Sequence, residues 1–243
     1  MDEESTFLSI GEVAKKLGVS LDTLRRWDKS GKLVAVRTQG GQRRYTIESL
    51  RESVPHDLFV LAEQWASASV PSSLIPSLFY QNRPQFETRL HEIEIILLKR
   101  DELKQTASLI TSTTGEIGNN SFDHNLGNWK DVPGIFFGFD PSKKQIVLAD
   151  RGQGILKTLK RVRPELITDE EALYVAFTEI VTGRAPEKRG NGLKFVRRIV
   201  GMNVIRLTFQ TGFARCVLEK GTSELSIQTS KKYIFGCLAL LEF

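Results

Sequence analysis

The stretch Glu116-Ile117-Gly118-Asn119-Asn120-Ser121-Phe122-Asp123-His124 decides how the larger part of this chain is read. It lies on a sustained helical period. Phe86, Leu90, Ile93 and Leu97 recur at three- and four-residue steps, and Leu103, Ala107, Ile110 and Ile117 carry on at comparable steps, in one long helix or two. Glu116, Asn120 and His124 then stand four residues apart and line one helix face. A carboxylate and an amide carbonyl on one face suit a magnesium ion, its waters and a phosphate chain. Taken alone, polar residues at that spacing are more often a solvated face.

Downstream, Ile135-Phe136-Phe137 and Ile146-Val147-Leu148 flank Asp140-Pro141-Ser142-Lys143-Lys144, the pattern of a β-hairpin with a polar loop. Asp150-Arg151-Gly152-Gln153-Gly154 follows the second strand directly. A carboxylate at a strand end can accept from an exocyclic amine, and glycines let backbone approach a flat base; most such segments are plain turns. Thr168 to Val181 reads as a helix with a Thr168/Glu171 capping box and Gly183 beyond its end. Gly190-Asn191-Gly192-Leu193 opens a further helix to Val200, where backbone N–H groups and the helix N-terminus favour an anion. Strands are expected at Val204 to Gln210, Phe213 to Glu219 and Tyr233 to Phe243.

The order, element types and separations of these three clusters resemble the GHKL ATPase superfamily: histidine kinase catalytic domains, anti-sigma kinases, DNA gyrase B and MutL. The resemblance covers about Leu103 to Phe243. It implies an ATP site in which Asn120 holds Mg²⁺, Glu116 is catalytic and polarises an attacking water or hydroxyl, and Asp150 reads the adenine amine. It also implies that Gly152 and Gly154 shape the base pocket, that Gly190 and Gly192 cradle phosphates, and that His124 and Leu193 belong to the same ATP-binding site. Ile155 to Arg189 would form a lid with a basic end at Arg184, Lys188 and Arg189. Two departures stand out. Cys237 sits where many relatives carry the threonine of a Gly-Thr pair, and Lys194 stands where a third glycine would be.

The N-terminal part reads differently. Ser9 and Glu12 form a capping box that opens Ile10 to Leu17, Gly18 ends that helix, and Ser20 caps Leu21 to Lys29. Two short helices across a tight turn make a helix-turn-helix, with Thr23, Arg25 and Arg26 facing outward at the front of the second. Val34 to Tyr45, broken by Gly40-Gly41, reads as a hairpin wing whose Arg37, Arg43 and Arg44 can grip phosphates. From Lys15 to Arg44 nine basic residues face two acidic ones, while the whole chain carries only +5. Ile10-Gly11-Glu12-Val13-Ala14, Thr23-Leu24-Arg25-Arg26-Trp27 and Gly41-Gln42-Arg43-Arg44-Tyr45 resemble the MerR-type winged helix-turn-helix, which implies DNA as a partner.

The expectation is an α+β chain: residues 1–53 a winged helix-turn-helix, 54–84 a connector with one helix, and 85–243 a GHKL-type two-layer α/β sandwich with a mixed sheet covered by helices. The two cysteines make neither a disulfide framework nor a zinc site. No apolar run is long enough to span a bilayer, and the acidic start lacks a signal peptide's pattern, so no membrane partner and a cytoplasmic address are expected. The implied function is an ATP-binding, DNA-associated regulator modulated by Mg-ATP, with DNA, ATP and a second copy of the chain as partners. The alternatives are an anti-sigma-like protein kinase with a protein substrate and a regulator whose ATP site is only structural.

Overall fold

The computed structural model describes residues 7–17, 20–31, 33–38, 40–46, 49, 57–71, 74, 76–181, 192–202 and 204–243. The chain divides into two compact units, Met1–Asp57 with Ser72–Ile75, and Leu58–Pro71 with Pro76–Phe243.

In the first unit β1 (Leu8–Ser9) leads into α1 (Ile10–Leu17), followed by α2 (Leu21–Lys29), β2 (Val36–Arg37) and β3 (Arg43–Tyr45). The capping box forms as expected: Ser9 N–H donates to Glu12 Oε2 at 2.7 Å, and Glu12 N–H donates to Ser9 Oγ at 3.3 Å. Ser20 Oγ accepts from Thr23 N–H at 3.1 Å and starts α2. The strands form an antiparallel sheet in the order β1-β3-β2. Val13, Leu24, Leu33, Ala35 and Tyr45 close a small core, with Trp27 packed on it.

The second unit begins with α3 (Leu58–Ser67), then β4 (Phe79–Tyr80), α4 (Arg83–Leu98), α5 (Ala107–Asn125), β5 (Ile135–Asp140) and β6 (Gln145–Asp150). It continues with α6 (Gly154–Leu159), α7 (Asp169–Thr178), α8 (Gly192–Gly201), β7 (Arg206–Leu218) and β8 (Ser226–Glu242). The strands lie in the order β4-β5-β6-β8-β7. The α+β architecture matches the expectation, but every strand pairing among the described residues is antiparallel, against the mixed sheet expected. The reason is connectivity: β5–β6 and β7–β8 are direct hairpins, and the helical excursion α6 to α8 returns the chain to the far edge rather than into a parallel crossover.

Register assigns the two faces of the sheet. Ile135, Phe137, Ile146, Leu148, Leu207, Phe209, Ala239 and Leu241 point to one face and join Phe86, Ile93, Ile110, Ile117, Leu173 and Val196 in the main core. Phe136, Gly138, Val147, Leu238 and Leu240 point to the other face, where α3 packs. A Cβ on Gly138 would stand 3.0 Å from the Leu58 methyls. The helix within 54–84 thus adds a partial third layer to the expected two.

The helical period around Leu97 resolves into two helices, α4 and α5, with the break at residues 99–106. Their contact is close because α5 carries two glycines on the side facing α4: a Cβ on Gly118 would sit 2.3 Å from the Phe86 ring, and one on Gly115 3.3 Å from a Leu90 methyl. The helix expected to reach Val181 ends at Thr178. The two strands expected on either side of Thr211-Gly212 are one strand, because Gly212 takes a left-handed φ of 54° and absorbs the irregularity as a bulge instead of a turn. No helix among the described residues is long and apolar enough to cross a membrane.

Gly118→Ala should destabilise the second unit by about 1–3 kcal/mol through overpacking against Phe86, despite alanine's better helix propensity. Urea denaturation checks this, and pairing it with Phe86→Leu should restore part of the loss.

Candidate nucleotide cavity and helix-turn-helix face

The C-terminal half of α5, the end of β6 and the start of α8 meet around a cavity of about 580 Å³. Of the residues singled out in the sequence, Glu116, Asn120, His124, Asp150, Gly154, Gly192 and Leu193 line it together. Gly152 is not in the wall. It is buried behind it, where a Cβ would collide with the Asn125 amide at 2.0 Å. Gly190, like Arg184, Lys188 and Arg189, lies outside the described residues.

Asp150 is the electrostatic centre. It ends β6 on the core face and is 1% exposed. Ser121 Oγ donates to its Oδ2 at 2.8 Å, and Asn125 Nδ2 and Gly152 N–H donate to its Oδ1 at 3.2 and 2.8 Å. Burial dominates these bonds and the one from the Cys237 backbone, pushing the carboxyl up to about 6. The folded protein therefore holds this proton more tightly than the unfolded chain. Its contribution to stability is full below about pH 4 and is lost as pH rises through about 6.

The other end of the cavity is set by Gly192. A Cβ on it would approach Glu116 Oε2 to 2.7 Å and Asn120 Nδ2 to 3.1 Å, so α8 begins directly against the Glu116/Asn120 face. Asn119 Oδ1 is buried without a hydrogen-bond partner in the same wall. No cluster of three or more His, Cys, Asp or Glu suited to a metal exists among the described residues. An ion here would take one amide oxygen from Asn120 and the rest from water and a ligand's phosphates, a donor set that suits Mg²⁺ and no dedicated protein cage. Burial lowers the His124 imidazole below its usual range, with Arg161 adding to the effect, so it is neutral at pH 7.

Several residues escaped the sequence reading. Ser121 and Asn125 lie one turn apart behind Asn120, and Asn125 also accepts from Gln153 N–H at 2.9 Å. The signal available was a polar pair continuing the inward face of Ile117. Thr211 pairs with Cys237 across β7 and β8. Its hydroxyl donates to Gly236 O at 2.9 Å and accepts from Ile155 N–H at 3.1 Å. The hydroxyl that Cys237 cannot offer thus stands on the neighbouring strand, although it is spent on backbone. Arg151 is fully buried: Nε and Nη2 grip Asp131 at 2.9 and 2.6 Å, and Nη1 donates to the Trp65 carbonyl at 2.5 Å. The guanidinium also stacks near the rings of Phe235 and Trp65.

In the first unit Arg25 and Arg26 are exposed on α2, and Thr23 is half-buried, sharing a 2.9 Å hydrogen bond with Ser20. Arg25 pairs with Asp22 at 2.7 Å. Asp28 takes Ala35 N–H at 3.0 Å, Arg43 Nε at 2.6 Å and Arg37 Nη2 at 3.3 Å. Those bonds, the one from Ala35 first, hold its carboxyl below the usual range. Arg37 and Arg43 are therefore wing-to-helix clamps as well as cations, and half-buried Arg44 follows them on β3.

Residues 9–45 match the model of the MerR family regulatory protein. A curated relative, the type II methyltransferase M.Eco47II of Escherichia coli, is 40% identical over 57 residues, 24% of this chain and only 14% of that protein. Among solved structures, the ATPase region of Saccharomyces cerevisiae topoisomerase II covers 55% of this chain and 37% of its own at 14% identity and a TM-score of 0.35. The 43K ATPase domain of Thermus thermophilus gyrase B, in complex with an aminocoumarin, covers 54% and 32% at 17% identity and a TM-score of 0.33. The chain spans about a third of each of these two structures.

Asp150→Asn keeps the shape of this network, since the Ser121 hydroxyl can turn to accept. Between pH 4 and 7 the wild type should lose up to roughly 3 kcal/mol through this group while the variant does not, given a carboxyl near 6. Chemical denaturation of both proteins at the two pH values measures the difference.

Proposed function

We propose that this chain is an ATP-binding, DNA-associated regulator, with a DNA-reading head and a nucleotide-binding body. The observation that carries the nucleotide reading is convergence: three clusters separated in sequence supply the walls of one cavity. It has a buried carboxylate at one end and an acid, an amide and a helix N-terminus at the other. That polarity matches a purine with an amino group at the Asp150 end and a phosphate tail at the Gly192 end.

In this reading Asp150 accepts the exocyclic amine, which requires its ionised form, so affinity weakens as pH falls through about 6. Gly154, with a φ of 75°, gives the turn that lets backbone pass beside the base. Gly192 and Leu193 present the start of a ten-residue helix to the phosphates. Bound Mg²⁺ supplies neutralisation of phosphate charge; Asn120 offers it an amide oxygen. Glu116, exposed at the cavity mouth, is placed to accept a proton from an attacking water.

The DNA reading rests on the MerR match and on a basic head whose exposed Arg25 and Arg26 lie on the second helix. A single winged module makes few base contacts, so a homodimer reading two half-sites completes the proposal. ATP alters DNA binding only to the extent that it favours one arrangement of the chain over another.

Gel-shift titration of the full chain on enriched DNA fragments, with and without Mg-ATP, tests both halves: a shift in DNA affinity with nucleotide is expected, and equal curves would remove the modulation. Calorimetric titration should show Asp150→Asn binding ATP at least tenfold more weakly than wild type. Arg43→Ala should weaken DNA binding on all sequences and flatten its salt dependence, with an added loss of thermal stability from the freed Asp28.

A further inference from the structure

Lys194 stands in the first turn of α8, two residues after Gly192, and lines the cavity. Its Nζ donates to the backbone carbonyl of Glu179, just past the end of α7. An ammonium carries three donors, so this bond leaves two unused. No carboxylate lies in ion-pair range of Nζ among the described residues. Glu179, the acid whose charge acts on it, is engaged by Arg163 at 2.6 Å. Burial depresses the amine, with the Glu179 charge opposing.

Among the described residues that line the cavity, the other permanent cation is Arg83, which is paired with Asp123. Besides Asp150 at the far end, the carboxylates of Glu116 and Asp123 line the cavity. A tail of phosphates entering against these acids needs a positive charge that is not already neutralised, and Lys194 is the half-buried cation that meets this need. Gly192 fixes its level in the cavity, because it abuts Glu116 and Asn120, the face assigned to the phosphates and metal.

Resting on the nucleotide reading, we propose that Lys194 is a phosphate-binding residue of this cavity. Its ammonium turns from the Glu179 carbonyl to the terminal phosphates of a bound nucleoside triphosphate, acting as a point charge from the first turn of α8.

The test is calorimetric titration of the full chain in magnesium buffer with ATP, ADP, AMP and adenosine. The proteins are the wild type, Lys194→Met, which keeps the stem, and Lys194→Arg, which keeps the charge. Lys194→Met should bind ATP roughly ten- to a hundredfold more weakly, the range of one charged hydrogen-bonded contact, and adenosine unchanged; Lys194→Arg should recover most of the ATP affinity. Equal ATP affinity in wild type and Lys194→Met overturns the inference while leaving the nucleotide reading intact. So does a parallel loss for ATP and adenosine, which would mark a structural role. Absence of any adenine nucleotide binding by the wild type overturns the nucleotide reading and this inference with it. If Lys194→Met fails to fold, acetylation of the wild type with mass-spectrometric readout decides: Mg-ATP should shield Lys194 and adenosine should not, and equal labelling overturns the proposal.

Discussion

A carboxylate sealed inside the core is the constraint around which the body is organised. Asp150 can stay there only because donors from α5, from its own following turn and from β8 converge on it. Each donor imposes a sequence requirement elsewhere. Gly152 must lack a side chain for Asn125 to come close, and Gly236, at a φ of 75°, must lack one because a Cβ would stand 2.1 Å from Asp150 Oδ1. One buried charge thereby welds the helix that carries Asn120 to the two central strands. It also leaves the energetic debt that a hydrogen-bond donor from a ligand can relieve.

Much of this was legible in the chain itself. The Glu116, Asn120, His124 face and the Asp150 turn could be read because helices and strand ends fix local spacing, and the structure brings them to one cavity. What could not be read are contacts set by tertiary register. Thr211 reaches Gly236 only because β7 pairs with β8 through a bulge, and nothing local to residue 211 announces that. The antiparallel order of the sheet follows from where the α6–α8 excursion re-enters it, a property of the whole topology. Gly152 is expected from the family resemblance to shape the base pocket; what only the tertiary structure reveals is that its missing Cβ makes room for the Asn125 amide.

The head shows a related point about charge. Its basic residues look like a free electrostatic footprint in sequence, yet Asp28 gathers Arg37 and Arg43 and ties the wing to α2. A pair this close keeps both guanidiniums oriented before any partner arrives, so less side-chain entropy remains to be lost on binding. Composition counts such residues as interchangeable cations, whereas the structure separates clamps from the exposed Arg26.

Arg151 has a consequence for how such chains can be assembled from parts. With its guanidinium locked between Asp131 and the Trp65 carbonyl, the body reaches back to grasp the end of α3. An exchange of heads made at residue 84 would tear that helix away, strand a buried guanidinium and bare the apolar back of the sheet. The workable seam for recombination lies ahead of Leu58, so any new domain grafted onto this body must leave α3 on the body's side of the join.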